Sequence, residues 1–305
     1  MAALATKQVV SHLASPQKLS ASTASPPPKL ANLVCVLSGC NSRYGIGWAT
    51  ALEFAKHQPK ALFVTDIHSD KLDDLVNAIK EISSVTTAHA MKMDQSLEAD
   101  VAGVVDEALK LYGRLDVFFI NGGILGANEP LLGGESATNF MDVMKVNALG
   151  PFVGCKHGAR GMLVTSKDKP VPKGSIIVTS SIAGLNGGTA SIAYGASKAA
   201  SINLVKHVAI ELKGNNIRVN AILPGMTETG MSKPAFDGLR ASGRLGILGD
   251  LNPLLRHAMP QEMATVVVFL ASEDASYING TSITVDGGWT ASHPFLAIRP
   301  PNASV

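Results

Sequence analysis

The sequence predicts one α/β domain in which a doubly wound parallel sheet of seven strands is covered by helices on both faces. Short runs rich in Val, Ile and Phe alternate along the chain with longer segments of helical period. The short runs are nearly continuous in apolar residues, as strands buried on both faces are. A glycine-rich turn stands between the first strand and the first helix, and in such sheets the ligand lies at the carboxyl ends of the strands.

The strands read in order as "NLVCVLS" (32–38), "ALFVTD" (61–66), "AHAMKMD" (88–94), "LDVFFIN" (115–121), "GSIIVTSS" (174–181), "NIRVNAIL" (216–223) and "TSITVDGG" (281–288). Helical stretches between them include "GWATALEFAKH", "SDKLDDLVNAIKEI", "EADVAGVVDEALKLYG", "GPFVGCKHGARGMLV" and "YGASKAASINLVKHVAIELKG". The domain is expected over 31–290. Residues 226–258 break the alternation with Gly, Pro and Ser among scattered apolar positions and are read as a mobile lid over the site. Leu245, Ile247, Leu248, Leu251 and Leu254 are expected to give that lid an apolar lining.

Residues 1–30 are rich in Ala, Ser and Pro, and the first acidic residue is Glu53, so this stretch is expected to be a disordered or docking leader. A transit peptide is the alternative, although the stretch has no arginine. Residues 291–305 read as a tail whose prolines oppose regular structure.

With 26 basic and 24 acidic residues the net charge is +2, too even for a nucleic-acid or membrane footprint. The longest apolar runs, such as "ATVVVFLA" (264–271), fall well short of the roughly 20 residues that span a bilayer. Cys35, Cys40 and Cys155 cannot all pair and lie in or beside apolar runs, which points to reduced, packed thiols and a cytoplasmic chain, or an organellar one if 1–30 is a transit peptide. The eight histidines show no metal-ligand spacing, so no metal is expected, and no GxSxG elbow suggests a hydrolase.

A strand, a glycine turn and a helix bring backbone N–H groups to a pyrophosphate at the positive end of the helix dipole. Gly39, Gly45 and Gly47 stand in that context, with Ser42 and Ile46 among them. Asp66 ends the second strand, where a carboxylate accepts hydrogen bonds from ribose hydroxyls and repels a 2′-phosphate. Arg43 points the other way, since a basic loop residue serves a 2′-phosphate; the carboxylate outweighs it, and NAD is expected over NADP. Further along, "SIAYGASKAA" sets Tyr194 and Lys198 four apart, on one helical face, with Ser181 upstream at a strand end. Asn147 adds a polar residue inside an apolar segment.

The loop "SGCNSRYGIG" resembles the TGxxxGxG motif of the short-chain dehydrogenase/reductase family, with Ser38 in place of the threonine and five residues instead of three between Gly39 and Gly45. The order and spacing of Asn147, Ser181, Tyr194 and Lys198 match that family's catalytic tetrad. "INGG" is similar to its NNAG motif with Ile120 replacing the first asparagine, so the resemblance carries over Asn121 and Gly123. It also implies an adenine contact from Asp94, and Thr227 and Thr229 near the carboxamide and pyrophosphate.

The resemblance implies a Rossmann fold and hydride transfer between NAD(H) and a secondary alcohol or ketone. A free tyrosine titrates near pH 10, so serving as a base near neutrality needs a lowering of about 3 pH units, about 4 kcal/mol. Lys198 and an oxidised nicotinamide are expected to supply it, with Ser181 holding the substrate oxygen. By the same resemblance Lys198 grips the nicotinamide ribose and Asn147 holds a water that connects the lysine to solvent. The rivals are an NADPH-dependent carbonyl reductase and, in another class, a non-redox cyclase or ligand sensor on the same scaffold. Helices 150–164 and 194–212 are apolar beyond one stripe, which predicts a homodimer or homotetramer.

Overall fold

In the computed structural model, residues 28–134 and 136–291 are described. Seven strands form one parallel sheet: β1 (Val34–Leu37), β2 (Ala61–Asp66), β3 (Thr87–Lys92), β4 (Val117–Ile120), β5 (Gly174–Thr179), β6 (Ile217–Pro224) and β7 (Ser282–Val285). Their spatial order is β3-β2-β1-β4-β5-β6-β7. β1 is flanked by β2, in register Cys35 with Leu62, and by β4, in register Cys35 with Val117. The chain reverses its winding between β1 and β4, and that switch point opens the crevice in which a ligand sits.

Alternation along β1 divides the core. Val34 and Val36 face one side, and Cys35 and Leu37 the other. The first side is covered by α3 (Glu98–Tyr112), α5 (Gly150–Leu163) and α6 (Ile192–Glu211), through Val101, Val105, Val153, Met162, Ile202 and Val205. The second is covered by α1 (Ile46–Lys56), α2 (Leu72–Ile82) and α8 (Pro260–Ala271), through Phe54, Leu75, Ile79, Met263 and Val267. Cys35, Cys40 and Cys155 are all free and buried. Burial pushes the Cys155 thiol up to about 12, which keeps it protonated and unreactive.

The leader up to residue 27 and the tail from 292 lie outside the described residues. Leu30 belongs with the fold instead of the leader: it is fully buried and its N–H bonds the His57 carbonyl at 3.2 Å. The lid region has more regular structure than its composition predicts. It holds α7 (Lys233–Ala241) and a 3₁₀ turn over Leu245–Leu251. A parallel bridge from Thr227 to Ala258 joins its two ends, and the Glu228 carboxylate contacts both Arg240 and His257. A short helix α4 (Ala137–Met144) runs into a π-helical turn, Lys145–Leu149, before α5. Among the described residues no helix is long and apolar enough to cross a membrane.

Candidate active site

A cavity of about 910 Å³ opens over the carboxyl ends of β1, β4 and β5. Its floor is the turn after β1. Gly39 adopts φ +70°, and a Cβ there would lie 2.8 Å from both the Asn121 amide and the Gly122 nitrogen. A Cβ on Gly47 would lie 2.2 Å from the Gly39 carbonyl oxygen. Ser38 takes over the threonine's place with its hydroxyl: Oγ accepts the N–H groups of Asn121 at 2.9 Å and Gly122 at 3.2 Å and donates to Gln95 Oε1 at 3.0 Å. Asn121 clamps the same junction, donating to the Ser38 and Gly39 carbonyls and accepting from Thr179.

Gly45 caps α1 without a side-chain hydrogen bond, and the first turn carries no acidic residue. That helix end therefore presents backbone N–H groups to the cavity, as an anion requires. Asn41 and Arg43 of the lengthened loop are engaged away from it. Asn41 is spent on the segment after β2: its N–H bonds Asp66 Oδ2 at 2.9 Å, its amide donates to Asp70, and its Oδ1 accepts from the Lys71 N–H. Arg43 pairs with Asp74 at 2.6 Å and lies over the Trp48 ring at 5.7 Å. Of residues 40–44, Ser42 lines the cavity. Asp66 and Asp94 line it too, with Thr227 and Thr229 opposite. The open helix end, the missing β-carbons and the Asp66 carboxylate together fit a dinucleotide.

Ser181, Tyr194 and Lys198 share the wall beside that floor. β5 delivers Ser181 at its end, and α6, capped by Ser191 accepting the Tyr194 N–H at 3.3 Å, delivers the other two. The neighbouring Ser180 also borders the cavity, but its hydroxyl is committed to the Lys198 carbonyl, to which it donates at 2.9 Å. Asn147 is fully buried behind the wall. Its Oδ1 accepts the Ile124 N–H at 2.9 Å, and its amide donates to the Ile124 carbonyl at 2.8 Å and to Ser197 Oγ at 3.1 Å. Both amide hydrogens are thus committed to protein, not to a water.

The electrostatics depart from the sequence expectation. Burial raises the Tyr194 phenol above its ordinary value, opposed in part by a hydrogen bond with Ser181. Burial also lowers Lys198 to about 8. Desolvation disfavours whichever form is charged, so one dry wall moves the phenol up and the amine down, in opposite directions. The lowering of Tyr194 expected from Lys198 is not produced by the chain itself.

The predicted apolar lining is also corrected. Leu245, Ile247, Leu248, Leu251 and Leu254 contribute nothing to the cavity wall. The lid residues that do line it are Met226, Met231 and, on the first turn of α7, Pro234 and Ala235, whereas the 3₁₀ turn follows the far end of that helix. Ile124, Leu125 and Trp289 complete the apolar wall. Sequence reasoning passed over Gln95, whose buried amide joins three parts of the site. Its signal was a polar residue between a strand and a helix in "KMDQS".

A family model described as "Enoyl-(Acyl carrier protein) reductase" matches residues 39–290. The chain belongs to the short-chain dehydrogenase/reductase family. It is 34% identical to the 3-oxoacyl-[acyl-carrier-protein] reductase FabG of Thermotoga maritima, over 85% of this chain and 98% of that one. It is 31% identical to (+)-borneol dehydrogenase 2 of Salvia officinalis, over 90% and 95%. Among solved structures, levodione reductase superposes with a TM-score of 0.78 at 30% identity, covering 87% of this chain and 100% of that one. Membership of the short-chain dehydrogenase/reductase family carries an oxidoreductase activity, an NAD(P) cofactor and a small-molecule substrate. Ile120, where the family motif has asparagine, is buried against Gly154, where a Cβ would lie 2.6 Å from the isoleucine Cδ1.

Proposed function

We propose that this chain oxidises a hydrophobic secondary alcohol with NAD, or reduces the corresponding ketone with NADH. The observation that carries this reading is that Ser181, Tyr194 and Lys198 line one cavity whose floor is the glycine turn. NAD, when bound, supplies the hydride acceptor. Gly39, Ser42, Gly45, Ile46 and Gly47 form the pyrophosphate end, Asp66 holds the adenosine ribose, and Asp94 borders the adenine. Asn121, Gly123, Thr227 and Thr229 border the rest of the dinucleotide. Tyr194 takes the proton of the substrate hydroxyl as hydride leaves the same carbon, and Ser181 holds the substrate oxygen by hydrogen bond. Lys198 grips the nicotinamide ribose and adds positive potential to that of the oxidised ring, which together draw the phenol down. Asn147 keeps the wall in place through Ile124 and Ser197.

The NADP alternative rests on Arg43, which is held by Asp74 and Trp48 instead of facing the cavity. Apolar walls from Met226, Met231, Ile124, Leu125 and Trp289 support a hydrophobic substrate. Leu149, at 43% exposure, and Phe152, at 50%, stand out along the π turn and α5, in keeping with a homodimer or homotetramer, and the free thiols Cys35, Cys40 and Cys155 accord with a reducing compartment such as the cytoplasm. Screening secondary alcohols for NADH formation by absorbance, beside titrations with NADH and NADPH, tests the reading. Tighter NADPH binding overturns the cofactor, and cofactor binding without turnover of any alcohol or ketone favours a ligand sensor.

A further inference from the structure

The π turn that carries Asn147 contains an accounting problem. In a π turn the amide at i+5 replaces the one at i+4 as hydrogen-bond donor. The Gly150 N–H accordingly bonds the Lys145 carbonyl. The next carbonyl, that of Val146, has thereby lost its α-helical donor, Gly150. Its π donor would be residue 151, which is proline and has no N–H. A part-buried carbonyl left without a donor is costly.

Gln95 supplies the missing donor from across the cavity floor. Its Nε2 donates to the Val146 carbonyl at 3.1 Å and to the Gly122 carbonyl at 2.8 Å, while its Oε1 accepts from Ser38. All the side chain's hydrogens and one of its acceptor sites are used. Two glycines make room for it: a Cβ on Gly122 would fall 2.4 Å from Gln95 Oε1, and one on Gly150 3.0 Å from Nε2. The turn before α3 aims it, since Asp94 accepts from both the N–H and the hydroxyl of Ser96.

We infer that Gln95 is a positioning residue that couples the cofactor floor to the catalytic wall by replacing the amide that Pro151 removes. One arm fixes the Ser38 proton, so that the hydroxyl's lone pairs meet the N–H groups of Asn121 and Gly122. A second arm holds Gly122, next to Gly123, where a Cβ would lie 3.2 Å from Asn147 Oδ1 and 3.5 Å from Lys198 Nζ. The third arm holds the π turn and, through it, Asn147. The coupling rests on the proposed function only in that the cavity holds a dinucleotide.

The test is amide hydrogen exchange by mass spectrometry on full-length protein, with NADH affinity by fluorescence titration. Gln95→Met, close in shape, is expected to raise exchange about tenfold in segments 121–124 and 145–150 while leaving α2 unchanged, and to weaken NADH about fivefold. Adding Pro151→Ala restores a backbone N–H to Val146 and is expected to recover protection at 145–150 but not at 121–124. Unchanged exchange at 145–150, an equal rise throughout the chain, or no recovery with Pro151→Ala would overturn the inference. Should Gln95→Met fail to accumulate, recovery of soluble protein in the double variant supports it and an equal failure overturns it. Wild-type protein that binds no NADH would instead strike the proposed function, leaving the exchange pattern to decide this one.

Discussion

The Lys198 ammonium stands 5.5 Å from the centre of the Tyr194 ring while donating a hydrogen bond to the Thr179 carbonyl at 2.8 Å. The strand end thus holds the cation in place, beside the phenol yet not bonded to its oxygen. Tyr194→Phe removes the hydroxyl and leaves the ring, so turnover is expected to fall about 10³-fold or more with NADH affinity changed less than about twofold. Steady-state rates set against a fluorescence titration check this. Unchanged turnover would remove Tyr194 from the chemistry.

Burial lowers Lys198 from its ordinary value of 10.5 to about 8. The cost of burying the ammonium is fully present below about pH 8 and is relieved as pH rises toward the unfolded value, because in that window the unfolded chain binds the extra proton. Relative to Lys198→Met, the wild type is expected to gain about 2 kcal/mol of stability between about pH 7.5 and about pH 9.5. Lys169, lowered to about 8 chiefly by burial, is present in both proteins and cancels. Denaturant midpoints at the two pH values provide the measurement, and parallel movement of the two proteins would contradict a buried ammonium.

The five inner strands were legible because each is a short buried apolar run; β3 and β7, at the two edges of the sheet, bury no residue fully and were legible by their place in the alternation, and the helices that bury a wide face were legible with them. Two short helices were not. α4 buries only Val143, and α7 only Phe236, and at 8 and 9 residues each is too short for its apolar period to stand out. α8 is apolar nearly throughout, which flattens its periodicity. In the site, the spacing of Tyr194 and Lys198 was local and readable. The pairing of Arg43 with Asp74, and of Gln95 with Val146, joins residues far apart in sequence. The raised Tyr194 phenol depends on burial, which a sequence does not display.

Gly47 tests the cofactor floor. An alanine Cβ there would meet the Gly39 carbonyl oxygen at 2.2 Å and Asn121 Nδ2 at 2.9 Å, so the turn must open to accept it. Gly47→Ala is expected to weaken NADH binding about tenfold or more. Gly103, on α3, has nothing within 4 Å of its missing Cβ and serves as the control. Gly103→Ala is expected to leave NADH affinity unchanged and to add about 0.5–1 kcal/mol of stability. Equal losses in the two variants would mean that the floor is not where the dinucleotide binds.

Asp66 has two duties that a single substitution separates. Its Oδ2 accepts the Asn41 N–H at 2.9 Å and its Oδ1 the His68 N–H at 3.1 Å, which shapes the lengthened loop, while its charge faces the cavity. Asp66→Asn keeps one acceptor and removes the charge. Repulsion between a carboxylate and a 2′-phosphate near 4 Å is about 4 kcal/mol per unit charge at an intermediate dielectric and less where water reaches it. NADPH affinity is therefore expected to rise about tenfold or more in Asp66→Asn, with NADH affinity falling as the ribose loses a charged acceptor. Adding Asp74→Ala frees Arg43 from its partner and should move selectivity further toward NADPH. If both titrations fall together, Asp66 serves the loop alone, and cofactor choice lies elsewhere in the cavity.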